Sequence, residues 1–395
     1  MAVVNEKMEN LGNVRSAIRE LFEYGRKRAK EVGPENVYDF SLGNPSVPAP
    51  DLVKETMKEL LEGDQVLLHG YTSATGDETV REAVAADINR RFNAGIDKND
   101  IYMTCGAAAS LTVTLNALVC PGDEILAIAP FFPEYRVFSQ AAGAVFRVVA
   151  ADTEKFQINF ASLKEQLTEN TKAIIVNTPN NPSGAVLSRE TIEKLSAVLL
   201  EAEEKYGHQI FLISDEPYRE LVYDDIEVPY LTNEYKDTIV CYSYSKSLSL
   251  PGERIGYIVV PGKMENSRAV YAAVAGAGRA LGFVCAPSMM QQVIKKCVGQ
   301  TSDLEVYRTN RDLLYNGLKK LGYEAVYPDG AFYLFVKSPI ADAGAFCERA
   351  KAYDLLLVPS DSFGCGGYIR LAYCVSTDTI RRSLPAFEKL IKEFI

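Results

Sequence analysis

The pattern of apolar and polar positions changes near residue 100. From there to about residue 260, short apolar runs rich in β-branched residues alternate with amphipathic segments. This alternation is typical of parallel strands joined by helices, in a sheet that is covered on both faces. The runs predict seven strands, which are Ile101–Met103, Glu124–Ile128, Val145–Val149, Lys172–Val176, Ile210–Ile213, Thr238–Cys241 and Ile255–Val260.

The flanking regions show a different pattern, with longer helical periods and fewer strand-like runs. We predict a basic amphipathic helix over 14–32, with Val14 and Ile18 on its apolar face. The other predicted elements are a strand over 37–42, helices over 50–62 and 78–92, a helical region over 287–320, and strands over 331–336, 355–358 and 368–372.

These elements predict an α/β protein with two domains, as expected for 395 residues. The larger domain, over 45–285, holds a mostly parallel seven-stranded sheet between helices. The smaller domain is α+β and combines 1–44 with 286–395.

Charge and hydropathy restrict the partners. A formal net charge of -10 repels nucleic acid, so no nucleic-acid partner is predicted. The most apolar window, 269–290, contains Arg279 and four glycines or prolines, which indicates a helix, a loop and a second helix in place of a membrane span. The first eight residues lack the apolar core of a signal peptide, so a cytoplasmic protein without a membrane partner is expected.

The cysteines and histidines do not form a recognisable metal motif. The eight cysteines are scattered through apolar runs without a CxxC pair, which is typical of reduced thiols. The two histidines, His69 and His208, are far apart in the sequence. No metal site is predicted.

Several predicted strands are followed by residues that suit ligand binding. Small residues over 104–110 open a helix, whose first backbone N–H groups can hold an anion. The aromatic pair Phe131 and Phe132 follows the next strand, turn formers including Asn181 follow the fourth, and the fifth delivers Asp215 at its tip. Because ligands bind at the carboxyl ends of strands in open α/β sheets, we expect these residues at one site.

Lys246 follows the sixth predicted strand and is surrounded by hydroxyl side chains. Ser243 and Ser245 precede it, and Arg254 lies eight residues later. A lysine amine attacks carbonyl carbons when burial or a neighbouring cation lowers its pKa.

Pyridoxal phosphate fits this set of groups. Its aldehyde suits Lys246, and its phosphate suits the helix N-terminus, the two serines and Arg254. Its ring nitrogen needs a carboxylate such as Asp215, which could approach the ring from the end opposite Lys246. Asn181 and Tyr218 can donate to the ring hydroxyl, and Phe132 can stack on the ring face.

With these residues in place, the sequence resembles the class I/II, fold-type-I pyridoxal-phosphate aminotransferases, the family of aspartate and alanine aminotransferases. The resemblance covers nearly the whole chain. It rests on five motifs, which are Asn180-Asn181-Pro182-Ser183-Gly184, Asp215-x-x-Tyr218, Ser243-x-Ser245-Lys246-Ser247, Pro251-Gly252-x-Arg254-Ile255-Gly256 and Ile369-Arg370-Leu371.

The resemblance implies an enzyme that moves an amino group from an L-amino acid to a 2-oxo acid, with aspartate- or alanine-type substrates. Lys246 would form the Schiff base with the cofactor and shuttle a proton to and from the substrate α-carbon. Asp215 would pair with the pyridinium, and Tyr218 and Asn181 would hydrogen-bond the phenolic oxygen.

The resemblance also implies binding roles. The phosphate would be held by the amides of Gly106, Ala107 and Ala108, by Ser243 and Ser245, and by Arg254. Tyr71 would reach the phosphate of the neighbouring subunit, which implies a homodimer. Arg370 would bind the substrate α-carboxylate bidentately, with Gly43 and Asn44 closing over it.

The sequence departs from the family pattern in two respects. Ala107 and Ala108 replace the hydroxyl or lysine that many relatives carry in the phosphate loop, and Phe132 stands where tryptophan or tyrosine is commoner. The first departure removes one candidate for binding a distal carboxylate of the substrate.

Three alternatives to an aminotransferase share features with the sequence. A carbon-sulfur β-lyase of the same cofactor family would share Lys246, Asp215 and Arg370. A short-chain dehydrogenase would use Tyr242 and Lys246 as its Tyr-x-x-x-Lys pair, but it needs a glycine-rich turn after an early strand. A non-enzymatic regulator of the same fold would carry a DNA-binding segment, for which the residues before 37 leave no room. Tyr242 and its neighbour Tyr244 are otherwise expected to pack in the core.

Overall fold

The computed structural model describes residues 3–13 and 17–394. Val14, in the predicted basic helix, therefore lies outside the described residues. The helices are α1 (Glu6–Asn13), α2 (Ala17–Val32), α3 (Asp51–Glu62), α4 (Gln65–His69), α5 (Glu78–Phe92), α6 (Ala107–Leu118), α7 (Glu134–Ala141), α8 (Phe160–Gln166), α9 (Arg189–Tyr206), α10 (Leu231–Glu234), α11 (Tyr244–Ser247), α12 (Ser267–Ala280), α13 (Ser288–Cys297), α14 (Leu304–Lys320), α15 (Ala343–Ala350) and α16 (Thr377–Ile391).

The strands of the described ranges follow the predicted runs closely. They are β1 (Tyr38–Asp39), β2 (Ile101–Thr104), β3 (Glu124–Ile128), β4 (Val145–Val149), β5 (Thr171–Asn177), β6 (Phe211–Asp215), β7 (Thr238–Ser243), β8 (Gly256–Val259), β9 (Tyr333–Lys337), β10 (Leu355–Leu356), β11 (Val358–Pro359) and β12 (Tyr368–Ala372).

The chain divides into two compact units. The small unit comprises Met1–Ser46, Glu305–Pro328 and Phe332–Ile395, and the large unit comprises Val47–Leu304 and Asp329–Ala331. The large unit thus extends past the predicted boundary at 285, because α13 packs against α3 and α5.

The large unit is built on a seven-stranded sheet with the order β2-β8-β7-β6-β5-β3-β4. All neighbouring pairs from β7 to β4 are parallel, whereas β8 runs antiparallel to both β2 and β7. The prediction of a mostly parallel seven-stranded sheet is therefore confirmed.

Both faces of this sheet are buried, as the nearly continuous apolar runs predict. On β6, Leu212 packs in a cluster with α9, and its neighbour Ile213 packs in a cluster with α6 and α12. Alternate residues of one strand thus enter different cores, because successive side chains point to opposite faces.

Side-chain caps define the ends of the helices that flank the sheet. Ser188 accepts a hydrogen bond from the Thr191 N–H at the start of α9, and Gly207 ends this helix in the left-handed region with φ 76°. Asp77 caps α5 in the same way. In the described ranges, no helix has the length and apolarity needed to cross a bilayer.

The small unit contains an antiparallel sheet in the order β11-β12-β9 and a parallel pair of β1 with β10. The single strand predicted over 355–358 is in fact two strands, because Leu355–Leu356 pairs with β1 and Val358–Pro359 pairs with β12. The strand predicted over 37–42 is limited to Tyr38–Asp39. The α+β character predicted for this region is confirmed.

Candidate active site

The strand register brings the predicted ligand-binding residues of the large unit to one edge of the sheet. Asn177 at the end of β5 lies beside Asp215 at the end of β6, and Asp215 lies beside Cys241 of β7. Because β8 is antiparallel, its first residue, Gly256, lies at the same edge and pairs with both Ser243 and Thr104. The carboxyl ends of the parallel strands therefore meet where the sequence places them.

We define the phosphate cup as the first residues of α6 with Ser243, Ser245 and Arg254. Gly106 caps α6 with φ 89°, in the left-handed region that favours glycine. A Cβ at this position would lie 3.1 Å from Nη2 of Arg254, so the glycine lets the guanidinium approach the backbone. The first N–H groups of a helix have no intrahelical acceptor, and they make its N-terminus an anion site.

The hydroxyls and the cation of the cup contact one another. Ser243 Oγ lies 2.7 Å from Ser245 Oγ and accepts a hydrogen bond of 3.2 Å from the Ser245 N–H. Arg254 donates from Nη1 to Ser245 Oγ at 3.5 Å and to the Pro251 carbonyl at 3.0 Å. Arg254 itself has φ 54°, which is uncommon for a residue other than glycine and is typical of functional sites that store backbone strain.

Gly256 sets the spacing beneath the cup. A Cβ there would lie 2.2 Å from the Tyr242 carbonyl oxygen and 3.0 Å from the Gly106 Cα. Any side chain at this position would force β7, β8 and the start of α6 apart. The glycine of the predicted Pro-Gly-x-Arg-Ile-Gly motif is therefore required by close backbone approach.

Asp215 is a buried carboxylate with one satisfied and one unsatisfied oxygen. It is 4% exposed, and its Oδ2 accepts a hydrogen bond from the Tyr135 hydroxyl. Its Oδ1 is buried and has no hydrogen-bond partner among the described residues. Burial raises the pKa of Asp215 to about 7; the Tyr135 hydrogen bond opposes this change, and the nearby Glu216 adds to it. Such a carboxylate is costly to bury unless a donor or a cation meets it.

Two partners of Asp215 had no predicted role. Tyr135, from α7, is fully buried, and the pKa of its hydroxyl is raised well above the ordinary value, mainly by burial and then by Asp215. Asn177 donates from Nδ2 to the Asp215 carbonyl at 2.9 Å and accepts through Oδ1 from the Asn181 N–H at 2.7 Å. Asn177 therefore ties the loop of Asn181 to the strand that carries Asp215.

The remaining predicted ring-binding residues lie near this carboxylate. Tyr218, three residues after Asp215, is 5% exposed, and Asn181 is also 5% exposed. Phe132 is partly buried, and its ring lies edge-to-face with that of Tyr135 at 5.7 Å between centroids. An aromatic face and two hydrogen-bonding side chains thus occur within the segments that surround Asp215.

Lys246 lies on α11, a single helical turn, and is partly buried. The turn begins at the Ser243 cap, and its last residue, Ser247, accepts a hydrogen bond of 2.7 Å at its carbonyl from the Ser302 N–H. The lysine is therefore carried by a short segment that is fixed at both ends.

Three predicted residues have solvent-facing positions. Ala107 is partly buried and Ala108 is exposed at the start of α6. Tyr71 is 100% exposed, in the loop after α4.

Arg370 lies on β12 of the small unit and is 2% exposed. It donates from Nη2 to the Ser41 carbonyl, and its Cζ lies 4.7 Å from the ring centroid of Tyr333 and 5.2 Å from that of Phe363. Aromatic faces attract a guanidinium and hold its plane. A Cβ on Gly43 would lie 1.9 Å from the Tyr333 hydroxyl oxygen, so the glycine permits this close approach.

Asn44, the other residue predicted to close over the substrate, is exposed. Its N–H donates to the Leu42 carbonyl at 2.9 Å, which forms a tight turn in the small unit. Gly43 and Asn44 therefore follow the segment that contacts Arg370.

Tyr242 and Tyr244 both pack in the large-unit core, as expected. The Tyr242 hydroxyl is hydrogen-bonded to Glu220 at 2.8 Å and to Ser247 at 3.0 Å, and the residue is 3% exposed. A hydroxyl in this buried position is unavailable to a substrate, so the structure does not favour the short-chain dehydrogenase alternative.

The residues at the sheet edge fit pyridoxal phosphate. The unsatisfied Oδ1 of Asp215 suits a protonated ring nitrogen, and the N-terminus of α6 beside the Arg254 guanidinium suits a phosphate. Within residues 3–13 and 17–394, no three His, Cys, Asp or Glu side chains group as metal ligands.

Comparison with known proteins agrees with this fit. The family model described as aminotransferase class I and II matches residues 35–387. The chain is 30% identical to a probable aspartate aminotransferase of Methanocaldococcus jannaschii, over 95% of this chain and 97% of the relative. An aminotransferase structure from Eubacterium rectale is 56% identical, with a TM-score of 0.98 and complete coverage of both chains. The structure of aspartate aminotransferase from Thermus thermophilus with maleate is 25% identical, with a TM-score of 0.87, 99% coverage of this chain and 100% of that chain.

Proposed function

Because the chain belongs to the class I and II aminotransferases, we propose that it moves the amino group of an L-amino acid to a 2-oxo acid with Lys246 as the reacting lysine. Pyridoxal phosphate, the cofactor of this family, supplies an aldehyde and an electron-withdrawing ring when it is bound. One observation carries the residue assignment: Asp215 is a buried carboxylate whose Oδ1 has no partner among the described residues. Asp215 lies at the same edge of the sheet as Lys246.

Lys246 takes the role of nucleophile and of proton carrier at the substrate α-carbon. The partly buried residue lies on a segment that is fixed at Ser243 and Ser247. A positioned amine lowers the barrier to proton transfer by general acid–base catalysis, which typically contributes about 10²- to 10⁴-fold in rate.

Asp215 holds a proton at the cofactor ring nitrogen. Tyr135 occupies its Oδ2, so Oδ1 would be available to the ring nitrogen of the cofactor. A carboxylate fixed in a buried site stabilises the positive ring far more than one in water, because little solvent screens the pair. Asn181 and Tyr218 are proposed to donate to the ring oxygen, and Phe132 to cover the ring face.

The phosphate cup binds the anionic end of the cofactor. The amides of Gly106, Ala107 and Ala108 and the hydroxyls of Ser243 and Ser245 are the proposed donors, with Arg254 as the cation. These donors belong to backbone and short side chains that are already fixed, so little conformational entropy is lost on binding.

Arg370 is proposed to bind the substrate α-carboxylate through a bidentate pair of hydrogen bonds. Tyr333 and Phe363 hold its guanidinium plane, which a lysine could not reproduce. Gly43 and Asn44 are proposed to close over the bound carboxylate.

The proposed substrates are aspartate- or alanine-type amino acids and their 2-oxo acids. The relatives named for aspartate support this class. Ala107 and Ala108 offer no cation to a distal carboxylate, so a second carboxylate would have to be bound elsewhere. Loss of holoenzyme visible absorbance, followed with each amino acid in turn, measures the preference directly.

Borohydride reduction followed by peptide mapping tests the assignment of Lys246. The cofactor should be fixed to the peptide that contains Lys246, and labelling of another lysine would refute the assignment. Product analysis tests the reaction: transamination needs an added 2-oxo acid, whereas the β-lyase alternative releases pyruvate and ammonia without one. The comparisons favour transamination over that alternative.

A homodimer with Tyr71 acting across the interface is also proposed. Tyr71 is 100% exposed beside the exposed apolar residues Val66 and Leu67, at 86% and 80%, which is more apolar surface than one segment usually leaves in water. A mixed dimer of Tyr71→Phe and Lys246→Ala protomers tests it. If Tyr71 acts across the interface, one site of the mixed dimer is complete and activity returns; if it acts within its own subunit, both sites stay defective.

The cytoplasm is the proposed location of the protein. All eight cysteines are free, and most are buried or partly buried as reduced thiols. Cell fractionation of the native host would test this location.

A further inference from the structure

A buried chain of polar side chains lies behind the segment that carries Lys246. The hydroxyl of Ser247 lies 3.0 Å from that of Tyr242, which lies 2.8 Å from Oε2 of Glu220. The other carboxylate oxygen, Oε1, accepts a hydrogen bond of 2.9 Å from Nη1 of Arg91. We name these four residues the Ser247–Arg91 chain.

The direction of the hydrogen bonds in this chain is fixed by the carboxylate. An ionised Glu220 can only accept, so the single phenolic proton of Tyr242 is donated to it. Ser247 must then donate its own proton to the Tyr242 oxygen. Burial and Glu220 raise the pKa of Tyr242 well above its ordinary value, so it stays protonated. The hydroxyls of Tyr242 and Ser247 therefore each have one defined acceptor.

The middle of the chain is held rigidly by aromatic packing. The Tyr242 ring stacks on that of Tyr257 at 4.7 Å and 16°, and it meets the ring of Tyr244 edge-to-face at 5.0 Å. Tyr242 is a strand residue of β7, and Arg91 is anchored on α5. The hydroxyl that Ser247 contacts is thus fixed by the sheet.

By contrast, α11 cannot hold its own position. It has four residues, and a single helical turn is unstable without outside contacts. The Ser243 cap fixes its start, and the side chain and carbonyl of Ser247 fix its end. Lys246 lies directly before that second anchor.

We propose that Tyr242 is a positioning residue for Lys246, acting through the hydroxyl of Ser247 and supported from behind by Glu220 and Arg91. The inference rests on the proposed role of Lys246. It gives a physical reason for a tyrosine in the core. A phenylalanine would fill the same space, but it would leave the Ser247 hydroxyl without the Tyr242 acceptor and Oε2 of Glu220 without the Tyr242 donor.

Amide hydrogen exchange of the apoprotein tests the chain without the cofactor. In Tyr242→Phe and in Ser247→Ala, amides over 244–249 should exchange about five- to tenfold faster, the factor expected for losing one buried hydrogen bond. The double variant should exchange no faster than Tyr242→Phe alone, because that substitution already removes the bond that Ser247→Ala removes. Tyr257→Phe is the control, since its hydroxyl makes no hydrogen bond among the described residues, and it should exchange as the wild type does.

The holoenzyme tests the effect on Lys246. In both single variants the midpoint of the pH titration of the visible absorbance should move. The kcat should fall about tenfold and KM for the amino acid should stay unchanged, because a misplaced amine affects the chemical step. Unchanged exchange over 244–249 in both variants would overturn the proposal. Faster exchange with an unmoved midpoint would overturn it too, since the chain would then stabilise the segment without acting on Lys246. Failure of the proposed function would appear separately, as borohydride labelling of another lysine in the wild type.

Discussion

The hydrogen bond from Tyr135 to Asp215 predicts a loss of stability that depends on pH. Tyr135→Phe removes the hydroxyl that donates to Oδ2, and the ring still fills the core. A hydrogen bond to an ionised group is worth about 1.5–3 kcal/mol, against about 1 kcal/mol for a neutral pair. The variant should therefore raise the pKa of Asp215, now at about 7, by roughly one pH unit.

The sign follows from the protons bound in each state. Burial raises the folded pKa of Asp215 from its ordinary 3.8 to about 7, so between these values the folded protein holds a proton that the unfolded chain has released. The free energy of unfolding therefore falls as pH rises from about 4 to about 7, by about 4 kcal/mol in all, and then levels off. In Tyr135→Phe the fall should continue for roughly one more pH unit.

Thermal unfolding of the apoprotein at pH 6 and pH 9 measures this difference. At pH 6 the carboxyl is mostly protonated in both proteins, so the variant loses a neutral hydrogen bond. At pH 9 the loss of unfolding free energy in the variant should be larger by about 1.4 kcal/mol, or about 2 to 3 °C in Tm. Tyr102→Phe is the matched control, because its hydroxyl donates to the carbonyl of Phe283 at 3.0 Å and no carboxylate is involved. If Tyr135→Phe lost the same unfolding free energy, relative to the wild type, at both pH values, the reasoning would be refuted.

Three further substitutions have defined outcomes. Gly256→Ala places a Cβ 2.2 Å from a backbone carbonyl oxygen and should lower Tm through an overpacking cost of about 1–3 kcal/mol. The control Gly252→Ala, whose Cβ would have nothing within 4 Å, should leave Tm unchanged. Equal Tm values for the two variants would contradict the argument from close backbone approach. Asp215→Asn should raise the Tm of the apoprotein at pH 9 yet lower turnover by about 10²-fold or more, and normal turnover would exclude a role at the ring nitrogen. Arg370→Lys should raise KM for the amino acid by about tenfold or more in steady-state assays, and a similar rise in the exposed control Arg349→Lys would show the effect to be non-specific.

The sequence predicts best those features that follow from topology. Lys246 and Asp215 each come directly after an apolar strand, and parallel strands must end at one edge, so their meeting at a site follows without knowledge of any contact. Tyr135 has no predicted role from the sequence, because core packing already accounts for a tyrosine in the aromatic segment over 130–135. The hydrogen bond from its hydroxyl to Asp215 depends on where β6 ends in the folded protein, and local sequence patterns do not show this.

Other differences have the same origin. The four apolar residues over 355–358 predict one strand, but two partners divide them between two sheets. Arg254 adopts a left-handed backbone that its residue type does not favour, so only the surrounding structure determines it. Residues 286–304 join the large unit through packing with helices about 200 residues earlier, which hydrophobic periodicity cannot show.

The pairing of β2 with β8 also governs the order in which the molecule can assemble. Strands β3 to β7 can pair with one another without β2 or β8. The phosphate cup, however, needs both Gly106, which precedes these strands in the sequence, and Arg254, which follows them. Joining them closes a loop of roughly 150 residues, a non-local step that is slow compared with local pairing. A chain still being synthesised could therefore hold most of its sheet and yet bind no phosphate. Anion binding at this cup would report that the sheet has been completed.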